Sequence, residues 1–143
     1  MALMQMHHDI LPADYVFQHI KKSVEDFEIF GSKVLLASYA RPEKTKGGIL
    51  LPDQIRDEEG IQGKAWLVVR MGPIPFDEED YAYFGGKDNI PKVGDWVKIR
   101  LTNGDHVALV TTKPVGGKNQ WECRLLHDRR HIDGRVKSPD QLW

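Results

Sequence analysis

Cysteine is almost missing: Cys123 stands alone among 143 residues. One thiol excludes an internal disulfide framework and any CxxC zinc or redox motif. Long apolar runs are missing too, and the longest is only a few residues, so the sequence predicts no membrane span. There is no surplus of positive charge, because 20 Lys and Arg face 21 Asp and Glu for a net charge of -1. Phosphate-driven binding needs such a surplus, so nucleic acid drops out as a partner. The first residues carry His7, His8 and Asp9 with no basic or apolar leader pattern, which reads as no signal peptide. No nucleophile motif, paired-carboxylate pattern or P-loop occurs. His7 with His8 and His127 with His131 are the only histidine clusters, and neither has a suitable third ligand nearby. These absences predict a non-enzymatic protein with no cofactor of its own, in the cytoplasm.

What is present is ordinary for a globular chain: 41% apolar and 29% charged residues, in a length that suits one domain. Pro12 can open a helix, and Tyr15, Val16, His19 and Ile20 recur at helical spacing, predicting a short amphipathic helix over Ala13–Ser23. The rival reading of this region is an extended arm lying on a neighbouring subunit.

From Ile29 the period drops to two. Strands are predicted over Lys33–Ser38, Lys64–Met71, Trp96–Leu101, His106–Thr112 and near His131–Val136. Another follows Gly116-Gly117, with Trp121, Cys123 and Leu125 facing in and Gln120, Glu122 and Arg124 facing out. In the strand from Trp96, Val97, Ile99 and Leu101 face in while Trp96, Lys98 and Arg100 face out. Asn103-Gly104-Asp105 reads as a hairpin turn. Short strands separated by turn signals, with almost no helix, predict an all-β fold: a small antiparallel barrel or sandwich.

Two stretches break this rhythm. Arg41–Gly63 is far longer than the two to five residues of a hairpin loop. Inside it Gly47-Gly48 precede Ile49, Leu50 and Leu51, and Pro52 follows. Three aliphatic residues in a segment otherwise built for solvent either begin a strand or form a recognition peptide that orders on a partner. Burying them gains about 1.5–3 kcal/mol each, and ordering the segment returns about 2–5 kcal/mol. One copy therefore binds weakly, whereas several copies on an oligomer bind tightly through effective concentration. Pro73–Pro91 is the second stretch, acidic first and then aromatic. The acidic runs Glu58-Glu59 and Asp77–Asp80, and the polar corner from His127 to His131, read as solvated surface. Cys123 reads as a small core residue.

The ordered set Lys33-Val-Leu-Leu, Glu43-Lys-Thr-Lys-Gly-Gly-Ile-Leu-Leu-Pro, Gln62-Gly-Lys-Ala-Trp-Leu-Val-Val, Met71-Gly-Pro and Lys92-Val-Gly-Asp-Trp-Val resembles the GroES family of co-chaperonins. Order and spacing match over roughly Ile29 to Val136, about three quarters of the chain; each piece alone is weak. The resemblance implies an irregular antiparallel β-barrel over 29–136, preceded by an N-terminal arm (1–28) and followed by a C-terminal tail (137–143). It also implies a ring of seven that caps a GroEL-type chaperonin in an ATP-dependent cycle, with the ATP used by the chaperonin. On that basis 41–63 carries the mobile loop and Lys44–Asp53 makes the contact. Gly47, Gly48, Ile49, Leu50, Leu51 and Pro52 would be the partner-binding residues, with the aliphatic tripeptide docked in an apolar groove of the chaperonin. The segment 73–91 would be the hairpin that roofs the dome. A GroES-like barrel also begins zinc-dependent alcohol dehydrogenases, but one Cys and the lack of a dinucleotide-binding domain exclude that reading.

Three departures from cellular members stand out: the arm, a longer roof segment with Phe76, Tyr81, Tyr83 and Phe84, and a tail ending in Trp143. They resemble the GroES-like proteins of tailed bacteriophages, some of which act with the host chaperonin on capsid protein. The same features suit a second role, a decoration or cement protein of a phage capsid, in which arm and tail grip neighbours. The first role places the chain in the host cytoplasm and the second in the virion.

Overall fold

The computed structural model describes residues 10–39, 65–100, 102–115 and 117–142. Six strands form one antiparallel sheet: β1 (Val34–Ser38), β2 (Trp66–Met71), β3 (Trp96–Ile99), β4 (Asp105–Val115), β5 (Lys118–Leu126) and β6 (Ile132–Val136). Their spatial order is β4-β5-β1-β2-β3-β6. Among the described residues two helices accompany them, α1 (Pro12–Glu25) and α2 (Glu78–Phe84). The expected all-β barrel is thus, among the described residues, a mainly-β open sheet with two helices.

The central strands are buried on both faces. All five residues of β1 and the first four of β2 are inaccessible. Leu35, Ala37, Leu67 and Val69 pack with Trp96, Leu109, Trp121 and Cys123 beneath α1. Val34, Leu36, Trp66 and Val68 pack on the opposite side with Val97, Ile99, Leu126 and Ile132. Leu126 ends β5 and Ile132 begins β6, so this cluster runs across all five strands from β5 to β6. Register shifts at Leu35/Leu36 and Lys98/Ile99 interrupt the ladders locally.

Helix α1 spans Pro12–Glu25 where the sequence predicted Ala13–Ser23. Proline occupies its first turn, Asp14 lies near the positive end of the helix dipole and Lys22 near the negative end. Val16, His19, Ile20 and Val24 form its buried stripe, and Val16, Ile20 and Val24 belong to the same cluster as the sheet residues. Arg70 of β2 donates to the carbonyls of Val24 (2.8 Å) and Glu25 (2.7 Å) at the helix C-terminus, where the Val24 carbonyl also accepts the Phe27 amide at 3.1 Å. Ser23 donates to the Val110 carbonyl (2.6 Å), and Thr112 donates to the His19 carbonyl (2.9 Å). The helix therefore lies on its own sheet, against edge strand β4.

Several local expectations are corrected. The turn at Asn103-Gly104 exists, with Gly104 at φ +83°, but it is not a hairpin. It carries the chain from β3 to β4, which lies at the far end of the sheet and pairs with β5. Trp96, expected to face outward, is buried with Tyr39 edge-on at 5.6 Å. In β3 both Trp96 and Val97, on opposite faces, are buried, while Lys98 is exposed as expected. The segment 73–91, implied to be a hairpin, instead contains α2 and a 3-10 turn at Lys87–Asn89. Asp77 and Asp80 form a capping box, Glu78 and Glu79 add negative charge to the first turn, and left-handed Gly85 ends the helix. The acidic run is a helix-start signal.

Candidate functional site

The residues expected to contact a partner, Gly47, Gly48, Ile49, Leu50, Leu51 and Pro52, lie outside the described residues. The stem from which they depart is described. Strands β1 and β2 are antiparallel neighbours in register Ser38↔Trp66, so the chain leaves the sheet at Tyr39 and returns at Ala65 from adjacent positions. Both stem residues are buried. The carbonyl of Ser38 accepts the indole N–H of Trp121 at 3.0 Å, in the interior. The hydroxyl of Tyr39 donates to Asp140 Oδ1 at 2.6 Å.

Asp140 sits in a 3-10 turn, Pro139–Gln141, which is itself firmly built. Gln141 Oε1 accepts from the amides of Lys137 (2.6 Å) and Ser138 (3.0 Å). Pro139 is fully buried, and Leu142 packs against the α1 side of the sheet. As far as Leu142, the C-terminal segment is docked on the body of its own chain.

A second construction holds the aromatic segment. Arg129, 5% exposed, meets Asp80, 2% exposed, with Nη2 donating to Oδ2 at 2.5 Å. Two further bonds go to the carbonyls of Ile74 (2.5 Å) and Pro75 (2.8 Å), and its guanidinium lies 4.2 Å from the Phe76 ring centre. Arg130 Nε donates to the other Asp80 oxygen at 2.7 Å. Burial alone would raise the Asp80 pKa. The hydrogen bonds from Arg129, the Asp77 amide and Arg130 outweigh it and hold the carboxyl far below the usual carboxylate range. Both Asp80 and Arg129 were expected in solvated surface, and both are interior. The Asp77–Asp80 spacing was a readable capping signal. The Arg129 partner was not readable, because it comes from another element 49 positions away.

Between α2 and β6 runs an open groove of about 360 Å³, bordered by Tyr83, Phe84, Pro91, Val97, Ile132 and Arg135. Arg135 is engaged by Asp95 (3.2 Å), the Ile90 carbonyl (3.3 Å) and Asn89. Tyr83 donates to the Ile132 carbonyl at 3.0 Å. Nothing in the groove pairs a nucleophile with a base. The thiol of Cys123 is buried, and burial together with the Glu122 charge pushes its pKa up, which disfavours the thiolate. Beside β4, His106 contacts Glu122, and His127 lies 3.4 Å from Asp105. Among the described residues no group of three or more His, Cys, Asp or Glu side chains could hold a metal ion. No described helix is long and apolar enough to cross a membrane.

No protein-family model matches the chain, and no curated protein sequence matches it.

Proposed function

We propose that this chain is a GroES-like co-chaperonin of the kind tailed bacteriophages encode, whose ring caps a host GroEL-type chaperonin and assists folding of capsid protein. The observation that carries the reading is the stem. The segment bearing Gly47-Gly48-Ile49-Leu50-Leu51-Pro52 is one long excursion between paired neighbours β1 and β2, anchored at Ser38 and Trp66. Such an excursion can engage a partner without unpairing the sheet. An antiparallel sheet with both faces of its centre buried is compatible with the irregular barrel of that family. In this reading Ile49, Leu50 and Leu51 dock in an apolar groove of the chaperonin. Seven copies on a ring convert weak single contacts into firm capture. Docking stabilises the nucleotide-bound state of the chaperonin by preferring it, and ATP hydrolysis belongs to that partner.

The capsid-decoration role draws less support. It relied on arm and tail gripping neighbours, whereas α1 and the turn at Pro139–Gln141 are docked on their own sheet. The test is co-sedimentation of the full chain with a GroEL-type chaperonin, with and without nucleotide, beside Leu50→Asp. Nucleotide-dependent capture that Leu50→Asp abolishes, with the sheet still folded, is the expected result. No capture under any nucleotide overturns the reading, and the virion is then the place to look for the protein. Aggregation of Leu50→Asp would mean that the tripeptide belongs to the core.

A further inference from the structure

The C-terminal turn makes one contact whose position in the fold outweighs its size. Three ties converge where β1 ends. The Trp121 indole holds the Ser38 carbonyl, the Trp96 ring packs against the edge of Tyr39, and Asp140 accepts the Tyr39 hydroxyl. The first two belong to the body of the sheet. The third reaches across 101 positions from a turn held by its own capping box, a buried proline and a packed leucine. A turn so fully determined holds its carboxylate in place, and a hydroxyl donating to a carboxylate is among the stronger neutral-to-charged hydrogen bonds. Tyr39 directly follows Ser38, the last residue of β1, so its side chain holds the chain at the point where it leaves the sheet.

We infer that Asp140 is a positioning residue for the β1–β2 excursion: by holding Tyr39 it fixes the stem from which partner contact is made. The consequence for binding rests on the co-chaperonin reading. A stem held before the encounter leaves less to be ordered during it, and this advantage is repeated in every subunit of a ring. The C-terminal turn and the partner contact are thereby coupled, although Asp140 need touch no partner.

The test compares Tyr39→Phe, Asp140→Ala and the double variant with the wild-type full chain, by two measurements. Tyr39→Phe keeps the ring against Trp96 and removes only the hydroxyl. Amide exchange at Tyr39 and Ala65 is expected to quicken about three- to tenfold in each variant, while Leu67 and Cys123 in the sheet centre exchange as before. Nucleotide-dependent capture by a GroEL-type chaperonin is expected to weaken about threefold or more. The double variant should lose less than the sum of the two single changes, since both break the shared bond between Tyr39 and Asp140. Unchanged exchange at Tyr39 and Ala65 overturns the inference whatever the chaperonin does. Faster exchange with unchanged capture also overturns it, because the stem would then be held to no effect on binding. A wild-type chain that is not captured overturns the co-chaperonin reading itself, and with it the positioning role, even where exchange responds.

Discussion

Arg129 and Asp80 meet in the interior at 2.5 Å, one from the corner between β5 and β6 and the other from the first turn of α2. Each is nearly inaccessible, and each has further partners: two backbone carbonyls and the Phe76 face for the arginine, Arg130 and the Asp77 amide for the carboxylate. The pair thereby ties the segment 74–80 to the end of the sheet. An ion pair of this kind contributes through the cost of breaking it: either partner left alone is a buried, uncompensated charge.

Asp80→Asn should therefore destabilise the fold by about 3–5 kcal/mol, because Arg129 keeps its charge and loses its counterion. Denaturant unfolding monitored by circular dichroism measures this. A loss within about 0.5 kcal/mol would mean that solvent reaches the pair.

The same pair predicts an acid limb of the stability curve. The folded pKa of Asp80 is depressed, so its contribution is fully present above the unfolded value of about 3.9 and is lost as pH falls below it. Wild-type stability should drop through that window more steeply than that of Asp80→Asn. The gap between the two proteins should narrow as the acid side is approached. Parallel curves from pH 7 to pH 2 would contradict the assignment.

Cys123 should resist alkylation in the native state at pH 8. Its thiol is buried in the core and its pKa is raised, so little thiolate is available or accessible. Modification by iodoacetamide should follow unfolding and accelerate with added denaturant. Rapid stoichiometric labelling of the native chain would place the thiol elsewhere.

Gly104→Ala should cost more than a turn glycine usually does. The position has φ +83°, and an added Cβ would sit 2.8 Å from the Leu125 carbonyl oxygen. Strain and collision together predict a loss of about 2 kcal/mol or more. Gly117→Ala, in a turn where the φ is +77° and a Cβ meets nothing within 4 Å, should cost about 1 kcal/mol. Equal losses at the two positions would rule out the close approach.

Much of this architecture was legible along the chain. The two-residue period located all six strands, Pro12 and the spacing of Val16 and Ile20 located α1, and Gly104 and Gly117 marked turns. These signals are local: a strand shows its alternation, a helix its apolar stripe and a turn its glycine, wherever the chain goes next. Strand neighbours were not legible. Asn103-Gly104 looks the same whether the following strand turns back or crosses to the far edge, and here it crosses to pair with β5. Nor was the burial of Trp96, which belongs to the cluster that includes α1, although Lys98 two positions on is exposed as expected. The fate of charge was decided in three dimensions as well. Asp80 and Arg129 carry the composition of solvated surface, and they are interior because each neutralises the other across 49 positions. Local pattern follows from the covalent chain, whereas burial of a charge and the closing of Tyr39 on Asp140 depend on which distant groups folding brings within hydrogen-bond reach.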